Sequence, residues 1–228
     1  MLLISFLGTF ALMLIFGFPI YLCLTGSSLV YMAVSGNLSQ LLAVQRVIIA
    51  PDSFVLLAVP FFILAGQLMN TGGVTSRIFT FARRLVGHFR GGLGYVNILA
   101  SLIFAGMTGS ALADAGGLGL IEIKAMRDEG YDDDFSIGVT AASSTVGPII
   151  PPSIPFVVFG AVANVSIGGL FMGGFVPGLL MGLTMAVMVF IIARKRNYRV
   201  LPRATFREIW AAFKKAFPVA GGAPAVAK

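Results

Sequence analysis

Two short stretches hold most of the residues able to do chemistry in an otherwise apolar chain. MTGSALADAGGLG carries Thr108, Ser110 and Asp114 among glycines, and SSTVGPIIPPSIP sets Ser143, Ser144, Thr145 and Ser153 among prolines 148, 151, 152 and 155. Hydroxyls and backbone carbonyls freed by a break are hard oxygen ligands, suited to a cation such as Na+. The N-termini of interrupted helices present free amides and a positive dipole end to an anion. Prolines so closely spaced cannot continue a helix, and each removes an N–H donor. In hydrocarbon the freed backbone groups cost several kcal/mol each unless they face protein or a wet cavity. A midplane binding site explains that cost, whereas close helix packing does not. For the glycines at 169, 173, 174, 178 and 182, packing is the preferred reading. Asp114 has three readings: it coordinates a cation, pairs with a basic group, or holds the tip through backbone amides. Glu122 and Lys124 follow close behind and are expected to reach the interface as topological charges.

Composition sets the medium in which this chemistry would occur. The chain has 228 residues, 57% hydrophobic and 11% charged, with mean hydropathy +0.95. Soluble domains carry about 25% charged residues, so a water-soluble globule and a disordered chain are both excluded. The length allows about six passes of a 30 Å hydrocarbon core. The net charge of +7 comes from basic clusters at Arg77 to Arg90 and Arg194 to Lys215. Lying between apolar runs, these read as positive-inside topology, with a lipid membrane and no nucleic acid as partner. Cys23 and His88 are the only residues of their kinds, too few for a disulfide or a transition-metal centre. No G-x-S-x-G, P-loop, H-E-x-x-H or C-x-x-C motif occurs. The chain is therefore expected to be no enzyme and to need no cofactor.

The elements that must position the two stretches follow from hydropathy. Residues 1–73 read as N-terminal spans, with a break at Gly17-Phe18-Pro19 or within Ser35 to Gln40, and a further apolar run from Ser53 to Met69. Residues 74–90 form an amphipathic helix, its arginines directed at lipid headgroups. Residues 91–163 hold the chemistry: a re-entrant hairpin over 91–127 turning at a Gly/Ser tip, then a proline-broken helix over 134–163. A final span follows at 167–193, and residues 194–228 form a basic cytoplasmic tail with an amphipathic helix from Thr205 to Phe217. The fold class is an all-α polytopic membrane protein.

At these segments the chain resembles a known family. LIFAGMTGSALADAGGLG, IKAMRDEGYDDDFSIGVTAASSTVGPIIPPSIP and SIGGLFMGGFVPGLL are similar to the large membrane permease subunit of TRAP transporters, the DctM family. FFILAGQLMNTGG and RRLVGHFRGGLGYVNILAS match it too, and the likeness runs from about Gly17 to Phe217. The resemblance implies Na+-coupled uptake of organic acid anions, of the C4-dicarboxylate kind, across a bacterial or archaeal inner membrane. It also implies an elevator mechanism, with one inverted-repeat unit made of scaffold helices, an interfacial arm helix, the hairpin and the broken helix. A small membrane subunit and a periplasmic substrate-binding protein would be partners. Carried over by position, Gly109, Ser110, Ser143, Ser144, Thr145, Gly147 and Ile150 would hold Na+, mainly through carbonyls. Ser144, Thr145 and Ser153 would face the substrate carboxylate. Large subunits of this family contain two inverted repeats, and this chain corresponds to the first. A partner chain would then supply the second repeat. The alternatives are a non-transporting remnant, or a channel or scaffold protein of the membrane.

Overall fold

The computed structural model describes residues 2–36, 45, 48–49, 55–196, 198, 200 and 202–216. Described residues form helices and connecting turns, with no strand among them. The chain divides into two compact units, Met1–Phe54 and Val55–Lys228.

The first unit is a helical hairpin of α1 (Leu2–Ile15) and α2 (Ile20–Ser35). The chain reverses at Gly17, whose φ of +78° suits a residue without Cβ, and Pro19 caps α2. Of the two expected break points, the first is therefore a turn; residues 37–40 of the second lie outside the described residues. The ring of Phe6 meets the edge of Tyr31 at 6.4 Å across the pair. Apolar side chains cover almost every face, and α2 buries only Cys23 and Ser27, the pattern of helices solvated by lipid.

The second unit begins with α3 (Ala58–Thr71) and α4 (Val74–Val86). The amphipathic helix expected over residues 74–90 is α4, which ends at Val86. The apolar face of α4 is packed into protein: Ile78, Phe79 and Ala82 join the main core, and Phe81 packs with the tail helix. On its polar side Arg83 pairs with Glu129 and Arg84 lies 3.6 Å from Glu208.

Next come α5 (Gly92–Thr108), a break at Gly109-Ser110, the short α6 (Ala111–Ala113), a π-helical stretch (Asp114–Leu118) and α7 (Gly119–Asp128). The hairpin is thus present, with its second arm carrying a widened turn. The broken helix consists of α8 (Asp133–Ser144), a proline loop with a cis Pro151–Pro152 bond, and α9 (Ile154–Ala163). Last are α10 (Ile167–Arg196) and α11 (Phe206–Ala216). Among the described residues, α10 is the one helix long and apolar enough to cross a membrane by itself. Its 30 residues extend about 45 Å at 1.5 Å per residue.

The core lies where α4, α5, α7, α8 and α10 meet, around Leu93, Val96, Phe104, Leu118, Met126 and Val189. Gly174, Gly178 and Gly182 give α10 a smooth stripe against Phe156, Ile150 and Leu102, while Gly173 borders open space.

Candidate functional site

The hairpin tip and the proline loop are seated against each other. Gly109 ends α5 in the left-handed region at φ +60°, and its carbonyl accepts a hydrogen bond from the Ile154 amide at 3.4 Å. A Cβ on Gly109 would collide with the Pro152 carbonyl. One on Gly147 would meet the Ser110 carbonyl carbon at 3.1 Å and the Ala111 nitrogen at 3.2 Å. Two close approaches of backbone to backbone therefore define the contact: the one at Gly109 requires glycine, and the one at Gly147 leaves a Cβ tighter than ordinary contact.

Both helices that start here begin with an extended serine. Ser110 accepts from the Ala113 amide at 3.3 Å, and Ser153 accepts from the Phe156 amide at 3.2 Å. Serine N-caps satisfy amides that a helix start leaves free. Ser153 also donates its proton to the Pro148 carbonyl across the loop and is fully buried. Its hydroxyl closes the loop at both ends.

The other residues expected at the site separate into groups. Ser144 and Thr145 direct their hydroxyl protons to Ala141 and Ala142 carbonyls one turn back, at 3.0 and 2.6 Å; Ser144 is buried and Thr145 exposed. The Ile150 side chain packs with Ala105 and Val146, leaving only its main chain to the loop. The Ser143 hydroxyl belongs elsewhere. It is buried between α8 and α5, donates to Asn97 Oδ1 at 2.6 Å, and receives from Ser101 at 3.1 Å. Asn97 in turn donates to Thr140 at 2.7 Å, and Thr140 to the Ser136 carbonyl at 2.8 Å.

This polar seam is the feature that motif reading passes over. Asn97 and Ser101 are four residues apart on α5, and Thr140 and Ser143 three apart on α8. That spacing puts each pair on one helix face, and it is the signal by which the seam could have been found. Asp114 is also buried, with its carboxylate unpartnered among the described residues, so no backbone amide of the tip reaches it. Glu122, expected at the interface, is fully buried, while Lys124 is exposed.

A cavity of about 260 Å³ adjoins the tip, lined by Gln67 and Asn70 of α3 and by Thr108 and Ser110 of the hairpin. The arrangement offers carbonyls, two serine-capped helix starts and a space whose mainly apolar walls, among them Phe62, Ile63 and Phe104, carry these few polar groups. Such a place can hold a bare cation beside an organic anion.

Similarity to known proteins bears on this arrangement. The family model for the DctM component of the tripartite ATP-independent periplasmic transporter matches residues 7–223. The sialic acid TRAP transporter large permease protein SiaM of Vibrio cholerae is 51% identical over 201 residues, covering 88% of this chain and 47% of that protein. The sialic acid TRAP transporter permease protein SiaT of Haemophilus influenzae is 57% identical over 175 residues, 77% of this chain and 28% of that protein. The C4-dicarboxylate TRAP transporter large permease protein DctM of Vibrio cholerae is 41% identical over 205 residues, 90% of this chain and 45% of that protein. The chain spans less than half the length of these relatives. With a family model spanning nearly all of it and a hairpin tip seated on a proline-broken helix, the chain belongs to the DctM family of TRAP transporter large permease subunits.

Proposed function

We propose that this chain forms one ion- and substrate-binding half of a TRAP permease that couples Na+ entry to uptake of an organic acid anion across the inner membrane. The observation that carries the reading is the seating of Gly109-Ser110 against Gly147 and Pro152–Ile154. Carbonyls of Gly109, Ser110, Ser143, Ser144, Thr145, Gly147 and Ile150 supply the Na+ ligands. By rotating their hydroxyl protons away from the Ala141 and Ala142 carbonyls, Ser144 and Thr145 donate to the substrate carboxylate, with Ser153 holding the loop that presents them. The hairpin and broken helix move together as an elevator against scaffold helices.

The relatives named for sialic acid are 51% and 57% identical and the C4-dicarboxylate one 41%. Sialic acid, itself a carboxylate, therefore stands ahead of a C4-dicarboxylate as first substrate to assay. Because the chain spans less than half of these relatives, transport also requires a second repeat, supplied with a small membrane subunit and a periplasmic binding protein.

The test is uptake of labelled sialic acid and succinate by proteoliposomes holding this chain and those partners, with and without a Na+ gradient. Accumulation that depends on inward Na+ is expected. Equal uptake in choline would overturn the coupling, and uptake by this chain without a binding protein would favour a channel.

A further inference from the structure

Where the turn after α4 meets the end of α10, the fold brings two arginines to one small pocket. Gly91 makes the approach: a Cβ there would collide with that of Ala193, and its φ of +74° turns the chain into α5. One turn on, a Cβ on Gly94 would lie 2.8 Å from a Val189 methyl. Arg90 and Arg194, each next in sequence to the Gly91–Ala193 contact, therefore share a pocket of about 220 Å³ with Phe89, Tyr95 and Phe190. The Arg194 guanidinium lies 4.4 Å from the centre of the Phe190 ring, and Phe89 meets Tyr95 edge-on at 5.9 Å.

The walls are aromatic and the charge is all of one sign. Other arginines of this unit have carboxylates: Arg83 pairs with Glu129, Arg84 with Glu208, Arg127 with Asp133, and Arg196 with Asp132 and Asp134. No such pair among the described residues includes Arg90 or Arg194, and no acid lines the pocket. The start of α5 and the end of α10 contribute dipole charges of about half a unit and opposite sign, which cancel. Two guanidiniums remain, and their planar forks match the oxygens of a phosphate.

Position shows where that phosphate comes from. Helix α10 is apolar and long enough to cross a membrane, and it ends in the basic run Arg194-Lys195-Arg196, which marks the edge of the hydrocarbon. The pocket therefore lies at the level of phospholipid headgroups. From Arg194 back along the same face, Phe190, Val187 and Leu183 follow at helical spacings of four, three and four, and all three are exposed. This apolar strip is where the acyl chains of a lipid held at the pocket would run, and a soluble phosphate ester has no use for it. The volume is below the roughly 300–1,000 Å³ of sites that enclose a drug-sized ligand, so it suits a headgroup whose chains stay outside.

We infer that Arg90 and Arg194 hold the phosphate of one anionic phospholipid, with its headgroup among Phe89, Tyr95 and Phe190 and its chains along α10. With no carboxylate to receive an ammonium, the site favours phosphatidylglycerol over phosphatidylethanolamine. Its occupancy does not depend on the Na+-coupled reading above.

The test is native mass spectrometry of the purified full chain in detergent, titrated with phosphatidylglycerol or phosphatidylethanolamine. The parent should retain one phosphatidylglycerol at low lipid concentration, and R90Q/R194Q should lose it. Arg90→Gln and Arg194→Gln singly should each weaken its binding about tenfold. K124Q/R203Q removes as much charge from exposed positions outside the pocket and should keep the lipid. Equal loss in that control would overturn the site, reducing it to general charge attraction. Equal retention of phosphatidylethanolamine would overturn the anionic selectivity. Displacement of the lipid by millimolar glycerol 3-phosphate would overturn the lipid assignment in favour of a soluble phosphate ester. Loss of the lipid on adding the small membrane subunit would overturn it too, giving this surface to that partner. Should the double variant misfold, unchanged binding in both single variants rejects the proposal.

Discussion

The tip cleft and the polar seam both draw on α5 and α8 and are built from opposite materials. At the tip the contacts are main chain to main chain: Gly109 carbonyl to Ile154 amide, Gly147 against Ser110 and Ala111. The serine caps there satisfy the helix starts. In the seam the contacts are side chain to side chain, through Asn97, Ser101, Thr140 and Ser143. A backbone-built site depends on shape, so it tolerates loss of a hydroxyl and fails when a Cβ is added. A side-chain-built seam behaves the other way, because a buried polar group left without its partner is costly.

Gly147→Val breaks the comparison most severely if it is wrong. The added side chain must displace main chain already within 3.2 Å of the Cβ position. Overpacking of this kind costs about 3 kcal/mol, and in a transport cycle about 100-fold at 1.4 kcal/mol per tenfold. Initial uptake rates in proteoliposomes, corrected for protein incorporated, should fall by about that factor. A change within about threefold would mean that tip shape does not govern activity.

Asn97→Ala sharpens the other half. It removes the acceptor of the Ser143 proton and the donor to Thr140, both buried. Leaving such groups unsatisfied costs about 2 kcal/mol, a fall of about 4–8 °C in melting temperature for a chain of this size. By these figures Gly147→Val lowers melting at least as much as Asn97→Ala, and uptake is what separates them: Asn97→Ala, corrected for folded protein, should keep initial rates within about threefold. A loss of uptake in Asn97→Ala comparable to that of Gly147→Val would mean that the two regions are one unit.

What the sequence made legible follows the same division. The tip and the loop were found because Gly, Pro and Ser have local consequences: a left-handed cap at Gly109, extended caps at Ser110 and Ser153, a helix that cannot continue past Pro148. The amphipathic pattern of 74–86 also located α4 correctly. Periodicity shows that a face is apolar but not what covers it; here α5 and α11 do. Glu122 was misplaced for a related reason. Proximity in sequence to Lys124 and the charged loop suggested the interface, whereas helix rotation through the π turn carries its side chain inward. Ser143, next to Ser144 in sequence, leaves the tip for the seam because adjacent residues on a helix point about 100° apart.

The smallest expected effect comes from the far end of α8, about 18 Å from its loop at 1.5 Å per residue. There Arg196 binds Asp132 at 2.7 Å and Asp134 at 2.7 and 2.9 Å, and the Tyr198 hydroxyl donates to Asp132 at 2.7 Å. The Tyr198 hydrogen bond, followed by that of Arg196, holds the Asp132 carboxyl below its usual range. A depressed carboxyl stabilises the fold above its unfolded value, about 3.9, and loses that contribution as pH falls through the lower folded value. This clamp should therefore be fully present at pH 5 and weaken only below about pH 4. Exposed pairs of this kind contribute little and are screened by salt. Arg196→Gln should lower the melting temperature by no more than about 2–4 °C at low salt, less at high salt, and leave Na+-dependent uptake within about twofold. The clamp fixes where α8 begins, and the tip and seam are set where it ends. A loss of uptake comparable to that of Gly147→Val would show that the start of the helix, rather than the backbone at its end, sets the geometry of the cleft.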